Sequence, residues 1–252
     1  MTLRFFQVGD HQIAAAYSQR GKDLLFCIHG LGCSHTTYRR LEDEAGLRDY
    51  SYLAVDLLGF GDSSRPEAAS YTMELHADIC SGLLQHIPYA RLHLVAHSMG
   101  GAIALLLPPQ ILDAAESFAN VEGNLIAADC GFASRRAAEV PFETFEAEIL
   151  PEYRSTTTGD CALELASPAA YYRSARSLVD WSDSGTLLDR FLRLPCRKTY
   201  FYGEQNRDHP TVSATREVQQ VEIEGSGHFM MEDNPEEFYS QLARFIRHDP
   251  RR

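Results

Sequence analysis

Short apolar runs alternate with longer amphipathic stretches along most of the chain. The runs are rich in Val, Leu, Ile and Phe and are bounded by Gly, Asp or Ser, which is typical of strands separated by turns. Those in the middle of the chain are apolar almost without interruption, as in strands that are buried on both faces of a sheet. The predicted strands cover residues 3–8, 12–17, 23–30, 52–59, 91–98, 117–123, 196–204 and 218–225.

Helical spacing of apolar residues appears between and after these strands. Residues 73–87 carry apolar side chains at intervals of three and four, which predicts an amphipathic helix. A second helix is predicted near the end of the chain, where Asn234 is a suitable N-cap and Pro235 suits the first position. Alternating strands and helices favour an α/β fold, with a mainly parallel twisted sheet and helices on both faces.

One long stretch, residues 125–194, departs from this alternation. It contains helix-compatible segments at 141–153, 162–181 and 185–194 but no run typical of a strand. A segment of this length between two strands is too long for a simple connection. We therefore predict a helical cap at 125–194, inserted after the sixth strand, on a core domain formed by 1–124 and 195–252. A separate helical domain is the alternative, although the flanking composition shows no linker.

The stretch HLVAHSMGGAIALLL at residues 93–107 places a serine between a buried strand and a buried helix. Ser98 has small residues two positions before and two after it, Ala96 and Gly100. Small residues at these positions are typical of the nucleophile elbow, a sharp strand-to-helix turn that carries a catalytic serine. A serine that merely caps a buried helix is the alternative.

Composition narrows the class of protein. The formal net charge is −12 with no cluster of Lys and Arg, which argues against a nucleic-acid-binding surface. No targeting segment or run of transmembrane length is evident, so a cytoplasmic protein without a membrane span is expected. Six scattered cysteines predict neither a disulfide framework nor a zinc site. Cys33 is notable because it follows the sequence HGLG.

Four motifs in order carry a family resemblance: HGLG at 29–32, DLLGFGDSS at 56–64, the elbow, and GSGHFMMEDNPEEF at 225–238. With them the chain resembles the α/β-hydrolase superfamily. The resemblance implies that Ser98 is the nucleophile and His228 the base. It also implies that the backbone N–H groups of Leu31 and Met99 form the oxyanion hole. No cofactor is implied, and no residue has suitable spacing to bind a metal together with His228.

The third member of the triad departs from the common family pattern. Most relatives place an aspartate at the end of the turn after the seventh strand, where this chain has Asn206. Some relatives place the acid at the end of the preceding strand, and Glu122 occupies that position here. Glu122 is therefore the predicted acid, Asp208 is the rival and Glu204 is a weaker one. Absence of an acid is a further alternative.

A serine at position 98 argues against the epoxide hydrolases and haloalkane dehalogenases, whose nucleophile is an aspartate. The resemblance implies hydrolysis of a small carboxylic ester through an acyl-enzyme. Cleavage of a C–C bond, a lyase reaction of the menaquinone-pathway type, and a ligand receptor without turnover are the alternatives. The expected partner is a small molecule with a carbonyl group. The sequence leaves open its acyl and alcohol groups, and also the oligomeric state.

Overall fold

A single eight-stranded sheet forms the centre of the protein, in a computed structural model that describes residues 1–156 and 163–248. The order of the strands across the sheet is β1-β2-β4-β3-β5-β6-β7-β8. Each predicted strand is present, with ends that differ by a few residues. The strands are β1 (Thr2–Val8), β2 (His11–Ser18), β3 (Asp23–Ile28), β4 (Ser51–Val55), β5 (Arg91–His97), β6 (Ala115–Val121), β7 (Arg197–Gly203) and β8 (Gln219–Ile223).

The direction of the strands is mainly parallel. β1 pairs antiparallel with β2, and β2 pairs antiparallel with β4. From β4 to β8 every neighbouring pair is parallel, so the carboxyl ends of these strands meet at one edge of the sheet. The predicted fold class is confirmed. Functional groups in such folds lie at this edge.

The two faces of the sheet belong to two apolar clusters. Along β3, Leu24, Phe26 and Ile28 point into one cluster, whereas Leu25 and Cys27 point into the other. This alternation follows from the two-residue period of a strand. Both faces are covered by helices, which explains why the strands of the centre are apolar at consecutive positions.

Eleven α-helices are present in the described part of the chain. The helix with the predicted N-cap is α11, and the Asn234 side chain accepts from the Glu237 N–H there. The helices are α1 (Met73–Leu84), α2 (Met99–Leu105), α3 (Pro109–Ala114), α4 (Phe132–Ala138), α5 (Phe142–Thr144), α6 (Leu150–Thr156), α7 (Pro168–Asp183), α8 (Thr186–Arg193), α9 (Pro210–Ala214), α10 (Met230–Asp233) and α11 (Pro235–Arg247).

The segment after β6 is helical, as predicted. Its described residues form α4 to α8 together with 3-10 turns at Ala127–Cys130 and Leu163–Leu165, and they contain no strand. A π-helical turn, Phe145–Ile149, joins α5 to α6. The predicted helix at 162–181 is shorter, because α7 begins at Pro168 after its N-cap Ser167; residue 162 lies outside the described residues. We refer to residues 125–194 as the helical insertion.

The described cysteines are not joined to one another. Cys27, Cys33, Cys80 and Cys130 are buried thiols, and Cys196 is a partly exposed thiol. Cys161 lies outside the described residues. No helix in the described part of the chain combines the length and apolar character needed to cross a membrane.

Candidate active site

Ser98 lies on a strained turn between β5 and α2. Its backbone angles, φ of 52° and ψ of −124°, fall outside the regions that residues other than glycine favour. The turn brings the start of α2 against β3: a Cβ on Gly100 would lie 2.4 Å from the carbonyl oxygen of Ile28. Any side chain at position 100 would therefore force the turn open, which is the physical reason for the small residue predicted there.

Glu122 lies beside His228 at the neighbouring end of β6. The Glu122 Oε2 atom is 2.7 Å from the His228 Nδ1 atom. Glu122 has a positive φ of 41°, which turns its side chain from the end of β6 toward the loop after β8. The structure thus brings these two residues together across 106 positions of the chain.

Three further hydrogen bonds hold the Glu122 carboxylate. Gly203 N–H donates to its Oε1 at 2.9 Å, and the Asn206 side-chain amide donates to both oxygens at 2.9 Å. Burial raises the pKa of Glu122, but the hydrogen bond from His228 and these donors outweigh burial and hold the pKa below its ordinary value. Asn206, at the position where most relatives have the acid, is therefore a donor to the carboxylate.

The two rival carboxylates are both exposed to solvent. Asp208 is exposed, and Glu204 is exposed and accepts a hydrogen bond from Gly225 N–H. Glu204 also pairs with the Arg207 guanidinium at 3.6 Å. Neither carboxylate is hydrogen-bonded to His228 within the described residues.

His97, immediately before the serine, contacts the His228 loop. Its Nε2 atom is 3.0 Å from the His228 carbonyl oxygen, and the centres of the two rings are 4.6 Å apart. Burial holds the pKa of His97 well below its ordinary value, so the ring is neutral and donates from Nε2. The motifs in the sequence predict no role for this histidine.

The two predicted oxyanion donors lie on either side of Ser98. Met99 is the first residue of α2, so its N–H has no acceptor within the helix. Leu31 follows β3 in a loop that lines the same cavity as Ser98. The neighbouring His29 is buried, and its Nε2 accepts a hydrogen bond from the Leu57 N–H. This contact gives His29 a structural role.

Ser98 and His228 line one cavity without a direct hydrogen bond between them in the described structure. Nδ1 of His228 faces Glu122, which leaves Nε2 as the nitrogen that can accept a proton from a hydroxyl group. Rotation of the Ser98 hydroxyl about χ1 changes the distance to Nε2. Contacts of this kind are often loose before substrate binds.

The cavity has a volume of about 600 Å³ and is formed by the sheet edge and the helical insertion. Tyr153, Leu163, Tyr171 and Leu178 of the insertion line it. Polar side chains from the insertion and from other segments line it as well. These are Asn124, Asp129, Asn206 and His209.

Asp56, in the loop after β4, is a buried carboxylate away from the serine. Its Oδ1 accepts from the His35 N–H at 2.6 Å, its Oδ2 accepts from the Asp62 N–H at 2.9 Å, and both oxygens are 3.0 Å from His35 Nδ1. His35, Asp56 and Asp62 place ligand-type atoms within 4.8 Å of one another. Hydrogen bonds account for the contacts of Asp56 in this cluster, and they hold the loop after β4 against the His35 segment.

Comparison with known proteins places the chain in a family. A model described as the alpha/beta hydrolase family matches residues 25–241. The match covers more than half of the chain and includes the strand before the HGLG loop, the elbow and the loop of His228. The chain belongs to the alpha/beta hydrolase family.

Individual proteins that are similar to this chain have low sequence identity to it. A protein of Mycobacterium tuberculosis described as uncharacterized is 26% identical over 97% of this chain and 81% of its own length. The structure of an esterase from Exiguobacterium antarcticum has a TM-score of 0.78 at 18% identity and covers 96% of this chain and 98% of its own. An N-acyl homoserine lactonase complexed with N-butanoyl homoserine has a TM-score of 0.76 at 20% identity, covering 100% and 98%. At these identities the two structures show a shared fold.

Proposed function

We propose that the protein hydrolyses small carboxylic esters through a covalent acyl-enzyme on Ser98. The observation that carries the proposal is the 2.7 Å contact between Glu122 and His228, beside a serine held on a strained turn. A serine needs a neighbouring base to become a nucleophile, and the base needs a group that orients it. Ser98, His228 and Glu122 supply these three roles.

His228 acts as general base and then as general acid. With Nδ1–H donating to Glu122, the neutral ring presents an unprotonated Nε2 to the serine. Nε2 takes the hydroxyl proton as Ser98 Oγ bonds to the ester carbonyl carbon. The proton then passes to the leaving alcohol oxygen as the C–O bond breaks. Water, deprotonated by the same nitrogen, attacks the acyl-enzyme and releases the acid and the free serine.

The negatively charged carboxylate of Glu122 stabilises the imidazolium that forms in each step. Its low pKa keeps it charged near neutrality, and the Asn206 amide and Gly203 N–H hold its orientation. Glu122 thus supplies from β6 the charge that most relatives supply from the loop after β7.

The oxyanion forms on the substrate carbonyl oxygen. The backbone N–H groups of Leu31 and Met99 are the donors in the proposal, and the dipole of α2 adds to the second. Loss of one such donor typically costs about 3 kcal/mol of transition-state stabilisation. Leu31 lines the cavity that contains Ser98, and Met99 directly follows Ser98 at the start of α2.

Two features favour a small ester as the substrate. The cavity volume of about 600 Å³ lies in the range of sites for small molecules. The Exiguobacterium protein is described as an esterase and the lactonase acts on a cyclic ester, so carbonyl carbons bonded to oxygen are substrates among proteins with this fold. Residues 125–194 act as the cap in the proposal, because they form the apolar wall of the cavity.

A fluorophosphonate probe and a panel of p-nitrophenyl esters of increasing chain length test the proposal. We expect the probe to label wild type and Ser81→Ala, whose serine lies on α1, and to spare Ser98→Ala. We also expect Ser98→Ala and His228→Ala to lose ester hydrolysis to a similar extent, because triad members act as a unit. A substrate for C–C bond hydrolases is run beside the panel. Faster turnover of that substrate, or esterase activity in Ser98→Ala, would contradict the proposal.

A further inference from the structure

The cavity has walls of opposite character on the two sides of Ser98. A Cβ on Gly32 would lie 2.5 Å from Leu163 and 3.0 Å from Tyr171, so these side chains lie against the loop after β3. Asp129 and His209 lie on the other side, near the ends of β6 and β7. Because β5 stands between β3 and β6 in the sheet, Ser98 lies between an apolar wall and a polar wall.

Asp129 is the buried centre of the polar wall. Its Oδ2 accepts from the Leu125 N–H at 2.6 Å and from the Ile126 N–H at 2.8 Å, and its Oδ1 accepts from the Thr211 hydroxyl. Burial raises the pKa of Asp129 above its ordinary value. A carboxylate held by three donors, with only 6% of its side chain exposed, is a fixed group rather than a mobile surface acid.

His209 extends this wall. Its Nδ1 atom is 3.6 Å from Asp129 Oδ1 and accepts from the Thr211 N–H at 3.4 Å. With Nδ1 as an acceptor, the neutral ring carries its proton on Nε2. Within residues 1–156 and 163–248, Nε2 has no hydrogen-bond partner, and the side chain lines the cavity. His209 therefore presents a hydrogen-bond donor that the folded protein does not use.

The polar wall is linked through Asn206 to Glu122, the carboxylate beside His228. His209 N–H donates to the Asn206 carbonyl at 2.9 Å, and the Asn206 side chain holds Glu122. In acyl transfer the base returns its proton to the leaving alcohol, which must then lie against His228. Because His209 is linked through Asn206 to the carboxylate that orients His228, we assign the alcohol part of the ester to the polar wall.

Charge restricts the group that such a donor can bind. Glu122 and Asp129 both line the cavity, and the chain has a formal net charge of −12, so an anionic group would be repelled. A neutral acceptor, such as an ether, carbonyl or hydroxyl oxygen, satisfies the donor without this cost.

We propose that Asp129 and His209 form a subsite for a neutral hydrogen-bond acceptor on the alcohol part of the substrate, an inference that rests on the proposed function. The wall of Leu163 and Tyr171 takes the apolar acyl part. The preferred substrate is thus an ester of an apolar acid with an oxygenated alcohol. Asp129 is a positioning residue, because it holds Thr211, whose backbone N–H in turn donates to His209 Nδ1.

Two esters that differ by a single atom test the subsite. Butyl butyrate and 2-methoxyethyl butyrate share the acyl group, and the second has an ether oxygen in place of one methylene of the alcohol. We expect wild type to prefer the methoxyethyl ester in kcat/KM, measured by release of butyric acid. His209→Phe should reduce that preference by about five-fold, the usual effect of one neutral hydrogen bond. His86→Phe, an exposed histidine next to α1, is the matched control and should keep the wild-type ratio.

A second variant guards against a folding defect. His209 caps α9 through its side chain, and His209→Asn retains an acceptor for the Thr211 N–H while its shorter side chain withdraws the donor. It should lower the ratio as His209→Phe does. The proposed subsite would be refuted if the kcat/KM ratio of the two esters were unchanged in both variants. It would also be refuted if wild type reacted with the fluorophosphonate but preferred butyl butyrate. Failure of the proposed function is distinct, because the wild type would then not label at Ser98.

Discussion

Glu122→Gln is the substitution that most directly tests how the triad is built. The carboxylate faces the His228 Nδ1 atom at 2.7 Å, and its other oxygen accepts from the Gly203 N–H. A glutamine has nearly the same shape but no charge. Its amide nitrogen would meet either the Asn206 amide, which is also a donor, or His228 Nδ1. Donation to Nδ1 would place the imidazole proton on Nε2, where it prevents uptake of the Ser98 proton.

The expected loss follows from charge and tautomer together. Two unit charges about 4 Å apart attract by about 4 kcal/mol near a protein surface, which is about a thousand-fold in rate. The wrong tautomer brings the loss to about 10⁴-fold, the effect seen when the charge is removed from a related triad. We therefore expect kcat/KM for p-nitrophenyl butyrate to fall by roughly 10³ to 10⁴ in Glu122→Gln.

Asp208→Asn and Glu204→Gln are the controls, since both carboxylates are exposed and the described structure shows no hydrogen bond from either to His228. We expect each to stay within a few-fold of wild type. Near wild-type activity in Glu122→Gln, or a loss of orders of magnitude in Asp208→Asn, would show that the acid follows β7. Urea unfolding of each variant shows whether a lost rate reflects a lost fold.

Three further substitutions test other parts of the account. His97→Leu removes the donor to the His228 carbonyl and should lower kcat by roughly ten- to a hundred-fold, whereas His97→Gln keeps a donor and should recover part of it; equal kcat values would refute this positioning role. Leu163→Ala removes apolar contact from the acyl side and should lower kcat/KM for long-chain esters about ten-fold with little effect on the acetate; an unchanged chain-length profile would count against the acyl assignment. The hydrogen bond with Asp56 raises the pKa of His35 above 6.5, so its contribution to stability is complete below pH 6.5 and is lost as pH rises through the higher folded-state pKa. The difference in unfolding free energy between wild type and His35→Asn should shrink from about pH 6 to about pH 9, and a constant or growing difference would show that charge on His35 is not involved.

Local sequence patterns were sufficient to predict the sheet. Each strand has a continuous or alternating apolar run and a Gly, Asp or Ser near its end, so its signal lies within a few residues. Burial on two faces explains why β3 is apolar at consecutive positions from Leu24 to Ile28. The short helix α4 and the 3-10 turn Ala127–Cys130 were not predicted, because their few residues pack against α7 and carry little periodicity of their own.

The site was predictable where motifs carry backbone requirements. Gly100 is small because the Ile28 carbonyl lies beside it, and that requirement is visible in the sequence around Ser98. The contact of Asn206 with Glu122 was not visible, because it joins residues 84 positions apart. Asp129 and His209 were missed for the same reason. Asp129 lies in the 3-10 turn Ala127–Cys130 and His209 precedes α9, neither within a motif, and only the sheet order and the helical insertion bring them to one cavity.

The measurement that most directly tests the central claim is the detection of an acyl group on Ser98. Wild type mixed with p-nitrophenyl butyrate is quenched in acid within one turnover, digested and analysed by mass spectrometry. The account predicts a butyryl group on Ser98 in the peptide that contains it, no such group in Ser98→Ala, and loss of the group as turnover proceeds. Turnover with an unmodified Ser98, or a butyryl group that forms instead on Cys33 in the same cavity, would contradict the account.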